Sequence, residues 1–252
     1  MKILHKILFV SGILLLHLLS DAQEQNYYEL FEQANELYKQ EKYQEALEKY
    51  QAITAADFAS AELYYNIGNA YFKLNKIPHA ILFYEKALKL KPNDSDIKFN
   101  LEIARKQTVD KINAIPPLIT TQIYNAVLNL FSSDGWAWLS ILCAFAAAVL
   151  FMIYYAKKIQ PLLLVSTVVL AFSLLFVYFS VEQKNRILHS GEAIVFTPTV
   201  TVKSEPKLNS TDLFVIHSGL KVKILEEHED WSKIALEDGN VGWIKNTDYQ
   251  EI

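Results

Sequence analysis

The hydrophobic pattern divides the chain into stretches with different periods. Between residues 27 and 111, apolar residues recur every three or four positions, which is the spacing of one face of an α-helix. Two uncharged stretches follow at 136–156 and 161–181, and each has about the 20 residues that a helix needs to cross a membrane. From Gly191 the period falls to two, which is typical of β-strands. The pattern predicts a helical domain, a pair of spanning helices and an all-β domain.

A unit of 34 residues is repeated within the helical stretch. Ala61 to Asp94 places small residues where two helices must approach closely, and large residues between them. Pro92 ends the second helix, because proline lacks the amide hydrogen and its ring clashes with the preceding turn. Tyr27 to Ser60 follows the same pattern one period earlier, and Ser95 to Lys111 supplies one amphipathic capping helix. Residues 23–112 are therefore predicted to form a tetratricopeptide-repeat (TPR) solenoid that holds another polypeptide.

The inner face of the first helix in each pair is the predicted partner-binding groove. Its aromatic and amide side chains suit an extended or helical peptide segment. Some chaperone-binding repeat proteins hold a free carboxy terminus with two asparagines and several cations. Asn35 and Asn66 match the asparagines, but Phe31, Asp96 and Asn100 stand at the cation positions, so the sequence does not favour such capture. The residues predicted to line the groove are Phe31, Asn35, Tyr38, Tyr65, Asn69, Phe72 and Lys73.

Charge and composition limit the classes of partner. The formal charge of −4 argues against nucleic acid, which would require a basic face. Glu24 to Ser60 is the most acidic stretch, and it is either a solvated helical surface or an acidic face for a basic partner. Cys143 is the single cysteine, so no intramolecular disulfide can form.

No arrangement typical of catalysis or metal binding is recognisable. The six histidines show no spacing of a zinc site, and phosphate-cradling glycine loops are absent. The acidic cluster from Glu226 to Asp230 lies between two predicted strands and is interpreted as a solvated hairpin tip rather than a cation site. We therefore predict that the protein is not an enzyme and has no cofactor and no bound metal.

The amino terminus has the features of a secretory signal peptide over residues 1–22. Lys2 and Lys6 form a charged start, and a short apolar core follows. Ser20 and Ala22 are small residues at the two positions that a signal peptidase inspects. The alternative is an uncleaved anchor helix, and both interpretations export the rest of the chain.

The two uncharged stretches are predicted to form an antiparallel transmembrane hairpin, because only residues 157–160 connect them. Lys157 and Lys158 lie in this connection, and the positive-inside rule places them in the cytoplasm. Both ends of the hairpin then face the periplasm, with the hairpin in the bacterial inner membrane. Just before the first span, apolar residues at helical spacing within 116–134 predict an amphipathic helix that lies in the membrane surface.

Six short strand-like segments between residues 191 and 252 are separated by glycine turns, which favours a small barrel. Their order resembles that of bacterial SH3-like (SH3b) domains. The matching elements are Val200 to Ser204, Gly219 to Leu225, Trp231 to Ile234 and Gly239 to Ile244. Aromatic residues line a shallow peptide groove in such barrels, and the candidates here are Trp231, Trp243 and Tyr249. The alternative is that the two tryptophans close a small core.

The combination of these parts resembles the BatE-like members of the bacterial aerotolerance-operon (Bat) family over essentially the full length. The 61–94 repeat, the segment DIKFNLEIARK, the paired spans and the final DGNVGWI carry the resemblance. It implies membrane partners with von Willebrand A domains, an associated MoxR-type AAA ATPase and a link to stress or oxygen tolerance. The chain is expected to be a membrane-anchored adaptor. The alternative is a cell-envelope tether or sensor whose SH3-like domain binds peptidoglycan.

Overall fold

The computed structural model describes residues 26–112, 115, 116, 118–188 and 191–252, so the predicted signal peptide lies outside the described residues. The described residues form two compact units: one contains 26–87 together with 96–108, and the other contains 88–95 and the described part of 109–252. The predicted fold class is confirmed, because helical repeats precede two long apolar helices and an antiparallel all-β domain.

Two helix pairs and a closing helix form the repeat region. The helices are α1 (26–39), α2 (Tyr43–Thr54), α3 (Ala61–Lys73), α4 (Ile77–Leu90) and α5 (Ser95–Lys106). Ser60 is the N-cap of α3, because its hydroxyl accepts a hydrogen bond from the Leu63 N–H at 3.0 Å. Small residues permit close helix packing, and those that are completely buried are Ala34, Ala46, Ala70, Ala80, Ala87 and Ala104.

An ion pair attaches the closing helix α5 to α4. Arg105 Nη2 donates to Glu85 Oε1 at 2.5 Å, and the Glu85 side chain is only 7% exposed. The arginine comes from the hydrophilic side of an amphipathic helix whose buried side carries Ile97, Leu101 and Ala104. A buried carboxylate requires a partner of this kind, since desolvation disfavours its charged form. The pair therefore keeps α5 in register on the last repeat.

The two long apolar helices are α7 (Ser133–Lys157) and α8 (Gln160–Leu188), and each is long and apolar enough to cross a membrane. Their turn is closed by Lys158, which adopts a left-handed conformation with φ of 56°. Midway along the hairpin, Ser173 Oγ donates to the Ser140 backbone oxygen at 3.0 Å, and both serines are buried. This contact joins the two helices, as does the hydrogen bond that Ser133 Oγ donates to the Ser180 backbone oxygen at 3.0 Å.

A short helix, α6 (Ile119–Leu128), precedes α7 and packs on the far end of the hairpin. Trp136 Nε1 donates to the Leu128 oxygen at 2.9 Å, and Arg186 Nη1 donates to Asn125 Oδ1 at 2.7 Å. The opposite side of α6 is apolar and exposed, with Ile119 at 74% and Ile123 at 60%. The helix thus has one side fixed to α7 and α8 and one bare hydrophobic side.

Seven strands form one antiparallel sheet in the order β3-β2-β6-β5-β4-β1-β7. Six of them correspond to predicted segments, and the seventh, Tyr249–Glu251, pairs with β1 and was not predicted. Ile216 of the edge strand β3 and Tyr249 of the edge strand β7 both pack in one hydrophobic cluster. Since the two edges share a core, the sheet must curve around it as a barrel does. The strands are β1 (Glu192–Val195), β2 (Thr199–Lys203), β3 (Asp212–His217), β4 (Lys221–His228), β5 (Trp231–Ala235), β6 (Val241–Lys245) and β7 (Tyr249–Glu251).

The segment after α5 packs on the barrel. Asp110 Oδ2 accepts the His217 backbone N–H at 2.6 Å, and its other oxygen lies 2.9 Å from His217 Nδ1. Ile112 packs against the barrel core, and the Ile115 N–H donates to the Glu237 oxygen at 3.0 Å. The sequence pattern did not predict these contacts, because this segment shows no hydrophobic periodicity.

Candidate peptide-binding groove

The face formed by α1, α3 and α5, called the groove below, contains a hydrogen-bonded network of tyrosine and asparagine. In the first repeat, Tyr50 Oη donates to Asn35 Oδ1 at 2.6 Å. Asn66 Nδ2 donates to the same oxygen at 3.1 Å. One side chain of α2 and one of α3 therefore converge on a single acceptor of α1. The network fixes the orientation of the Asn35 amide.

The same network recurs 34 residues later. Tyr84 Oη donates to Asn69 Oδ1 at 2.7 Å, and Asn100 Nδ2 donates to that oxygen at 2.9 Å. Asn100 Nδ2 also lies 2.9 Å from the hydroxyl of Tyr65, one of the predicted groove residues. Tyr84, Asn69 and Asn100 are the sequence equivalents of Tyr50, Asn35 and Asn66. The groove thus contains the same polar arrangement twice. Each copy, together with the residues around it, is called a level.

Burial keeps the two network tyrosines neutral. Desolvation raises the pKa of Tyr50 and of Tyr84 well above the ordinary range of a phenol, and nearby tyrosines raise each pKa further. Both rings are nearly inaccessible, at 1% exposure. Their hydroxyls therefore remain hydrogen-bond donors across the physiological pH range.

Removal of one hydroxyl should weaken the second network. We expect Tyr84→Phe to lower the free energy of opening of α4 by about 1 kcal/mol, the net value of one hydrogen bond. Hydrogen exchange of α4 amides, measured by mass spectrometry on the full chain in detergent, would report this change. Tyr64→Phe is the matched control, because the Tyr64 hydroxyl makes no hydrogen bond within the described residues. Equal effects of the two variants would contradict the role of the network.

The raised pKa values also predict alkaline sensitivity. The folded pKa of each tyrosine lies above its unfolded value of about 10, so the stabilisation is complete below that pH and is lost as pH rises further. Hydrogen exchange, corrected for its intrinsic pH dependence, gives the free energy of opening. Above about pH 10, this free energy should fall less in the Tyr50→Phe, Tyr84→Phe double variant than in the unmodified chain.

Each network borders a cavity, and the two cavities are equivalent by the repeat. The first has a volume of about 170 Å³ and the second about 200 Å³. Tyr38 borders both, so the cavities adjoin along the groove. The first is lined by Asn35, Tyr38, Lys39, Tyr50 and Asn66, and the second by Tyr38, Asn69, Phe72, Lys73, Tyr84, Asn100 and Ile103.

Most of the predicted groove residues border these two cavities. Tyr65 is close by and contacts Asn100, whereas Phe31 lines a separate, more apolar cavity of about 330 Å³ with Tyr27 and Phe58. The lining residues that were not predicted are Lys39, Tyr50, Asn66, Tyr84, Asn100 and Ile103. A shift of 34 positions from Lys73 would have indicated Lys39. The tyrosines resembled core residues, and only the structure shows where their hydroxyls lie.

The two candidate tryptophans of the barrel lie on the sheet face opposite the core. On β6, Trp243 is opposite Lys203 on one side and Lys233 on the other, while Trp231 of β5 is opposite Lys245. Neither ring belongs to the hydrophobic cluster that the strands enclose. Trp243 is 9% exposed, and Trp231 is half-buried. This face therefore combines aromatic rings with lysines.

Tyr249 lies on the other face of the sheet. It pairs with the buried Val195 of β1, packs against the core, and places its hydroxyl 2.7 Å from Ser232 Oγ. Burial raises the pKa of Tyr249, although the Ser232 hydrogen bond opposes that shift. The structure thus brings Trp231 and Trp243 to one face and does not place Tyr249 with them.

The described residues show no metal-binding arrangement, since no three of their His, Cys, Asp or Glu side chains cluster suitably. Family models match three parts of the chain. The tetratricopeptide repeat matches residues 61–94, the TPR repeat matches 34–75, and the bacterial SH3 domain matches 198–249. No curated protein matches the chain. TPR and bacterial SH3 domains are typically binding modules without catalytic activity, and TPR domains generally bind other proteins.

Proposed function

We propose that this protein is a membrane-anchored scaffold whose groove holds a peptide segment of a partner protein. The observation that carries the proposal is the repeated Tyr–Asn–Asn network beside two equivalent cavities. Hydrogen bonds hold these amides in place before any ligand arrives, which lowers the entropic cost of binding. An extended segment that crosses both levels would meet the same polar chemistry twice.

The hairpin is proposed to anchor this scaffold in the bacterial inner membrane. Residues 136–156 and 161–181 would cross the bilayer, with Lys157 and Lys158 in a cytoplasmic loop at 157–160. An even number of spans returns the chain to its starting side. The TPR domain at 23–112 and the SH3-like domain at 191–252 would therefore both be periplasmic.

The short helix α6 is proposed to lie in the membrane surface, within the segment 116–134. Its bare side carries Ile119 and Ile123, and its other side is held by contacts to α7 and α8. Burial of such an apolar side at the headgroup boundary is favourable in proportion to its area. The contact between Arg186 and Asn125 would then set the depth of α8.

Membership of a Bat membrane complex is proposed from the family resemblance. The partners would be membrane proteins with von Willebrand A domains and, indirectly, a MoxR-type AAA ATPase that acts in aerotolerance or stress. The TPR and SH3 domains support a role in protein assembly, which is the part of this proposal that the domain content favours.

Site-specific crosslinking tests the scaffold function. A photo-crosslinking amino acid at Phe72, which lines the second cavity, is expected to capture one defined protein in intact cells. The matched control is the same amino acid at Glu48, an exposed position of α2 that borders neither groove cavity. If a folded, membrane-inserted Phe72 variant captures no protein beyond the Glu48 control, the scaffold function is wrong.

A cell-envelope tether is the second candidate function, because bacterial SH3 domains include peptidoglycan binders and the half-buried Trp231 ring lies opposite Lys245 on the outer face of the sheet. Aromatic faces suit sugar rings, and lysines suit the carboxylates of cell-wall peptides. The full chain in detergent would be sedimented with purified peptidoglycan. Retention that is lost in Trp231→Ala would support the tether, and no retention would exclude it.

A further inference from the structure

Two side chains that line the first cavity, Asn35 and Lys39, donate to carboxylates of the chain itself. Asn35 Nδ2 donates to Glu32 Oε1 at 3.4 Å, and Lys39 Nζ donates to Glu36 Oε1 at 2.7 Å. The Glu36 hydrogen bond raises the pKa of Lys39. Both N–H donors at this level therefore already face a carboxylate on the same helix.

One repeat later the donors are retained and the carboxylates are not. Asn69 and Lys73 occupy the positions equivalent to Asn35 and Lys39, but Asn66 and Ala70 replace the two glutamates. Ala70 is completely buried and has no polar side-chain atom. Asn66 directs its amide nitrogen to Asn35 instead. The second level thus has no internal equivalent of Glu32 or Glu36.

The Lys73 ammonium and the Asn69 amide nitrogen of the second cavity consequently have no acceptor among the described residues. Within the part of the chain that the structure describes, Lys73 forms no ion pair. There, too, the Asn69 amide nitrogen makes no hydrogen bond, although Asn69 Oδ1 accepts two. Lys73 is exposed and borders the cavity of about 200 Å³, together with Phe72. A cation and a fixed N–H donor beside an aromatic ring form a suitable site for a carboxylate.

We propose that the second cavity binds a carboxylate of the partner segment, which accepts from Asn69 and Lys73 as Glu32 and Glu36 accept from Asn35 and Lys39 one level earlier. This inference rests on the proposed function of the groove and specifies its ligand as an acidic peptide. Lys73 supplies the charge, and Asn69 supplies a directional hydrogen bond. The ligand group is an Asp or Glu side chain or a free carboxy terminus.

This site differs from the chaperone-type clamp considered above. That clamp places its cations at the positions of Phe31, Asp96 and Asn100, whereas the cation here is Lys73, one turn after Asn69 on α3. The mismatches to that clamp therefore do not concern Lys73 or Asn69, the two donors of the site proposed here. The repeat itself provides the comparison, because its first level shows the donor set with carboxylates in place.

The test uses the full chain in lipid nanodiscs and two libraries of random short peptides as probes. One library has amidated carboxy termini and the other has free ones. Selection of Asp or Glu from the amidated library would identify a side-chain ligand. Selection confined to the free-acid library would identify a terminal carboxylate. Both results support the inference.

Matched variants then locate the site. Lys73→Met is expected to lower the affinity for the selected peptide about tenfold. Replacement of the peptide carboxylate by an amide should have the same effect. Lys39→Met is the control, with a change below about twofold, because Lys39 already pairs with Glu36 in an exposed position. The double variant Glu32→Asn, Glu36→Ala, which introduces the residues of the second level, should free the two donors of the first cavity and raise the peptide stoichiometry from one to two.

The outcomes separate this inference from the function on which it rests. Peptides that bind without any preference for a carboxylate would overturn the inference and leave the groove function standing. The same holds if the selected peptides bind Lys73→Met as tightly as the unmodified chain. Failure of both libraries to yield any peptide would overturn the inference, while a crosslinked partner at Phe72 would still support the scaffold.

Discussion

Gly242→Ala is expected to lower the free energy of unfolding of the barrel by about 3 kcal/mol, the upper range for overpacking a core. A methyl group at this position would lie 2.4 Å from Val202 Cγ1 and 3.0 Å from the Lys203 backbone oxygen. Val202 is completely buried on the neighbouring strand, and its β-branched side chain has little rotamer freedom. Relief of the clash therefore requires the β2–β6 pairing to open.

Hydrogen exchange of β2 and β6 amides in the full chain would measure this loss. Gly68→Ala is the informative comparison, since its methyl group would lie 2.6 Å from the Tyr84 ring. Ala34 and Tyr50 are the equivalents of Gly68 and Tyr84 in the first repeat, and both are buried there. The repeat fold therefore accommodates a methyl group at this position, and a loss of about 1 kcal/mol is expected. A smaller effect at Gly242 than at Gly68 would contradict the prediction, because the sheet would then accommodate the methyl group without opening the β2–β6 pairing.

Arg105→Met is expected to destabilise the attachment of α5 by about 3 kcal/mol. The variant removes the cation that pairs with the buried Glu85 carboxylate, and removal of one partner of a buried ion pair is strongly destabilising. Arg105 is partly exposed, so water offsets some of the loss, and the value lies at the lower end of the range for buried pairs. Hydrogen exchange of α5 amides would report the opening free energy.

Two further variants distinguish loss of the ion pair from loss of packing. Lys106→Met removes the exposed pair with Glu102 on the same helix, and its effect should stay below about 0.5 kcal/mol. Glu85→Gln combined with Arg105→Met should recover much of the loss, because the buried charge is then gone. If the double variant is as unstable as Arg105→Met, the packing of the arginine stem explains the effect instead.

The helical and strand patterns predicted the fold class because they depend on local spacing. The repeat was recognisable from single residues at fixed offsets, and the spans from their length without charge. The strand β7 was missed, because Tyr249–Glu251 has too few residues to show an alternation. The docking of Asp110 on His217 was also missed, since it joins residues that are far apart in the sequence and lie in no periodic segment.

The candidate groove was less accessible to sequence reasoning than the fold. Periodicity indicates which residues share a helix face, but the hydrogen bond from Asn100 to Asn69 depends on how α3 and α5 pack against each other. The sequence pattern placed Tyr84 in the core, and its ring is indeed buried there, but its hydroxyl reaches Asn69 in the groove. In the barrel, the register between β5 and β6 places Trp231 and Trp243 on one face. The position of Tyr249 required the register of a strand that had not been predicted.

The last asparagine of the network comes from α5, which is the closing helix and not a third repeat. Asn100 occupies the place that Asn66 takes for the preceding level, so a level is completed equally well by another repeat or by the closing helix. Duplication of the coding segment for residues 61–94 would add one complete level and leave the existing ones intact. The groove of such a protein can therefore lengthen during evolution by whole repeats, without any compensating mutation.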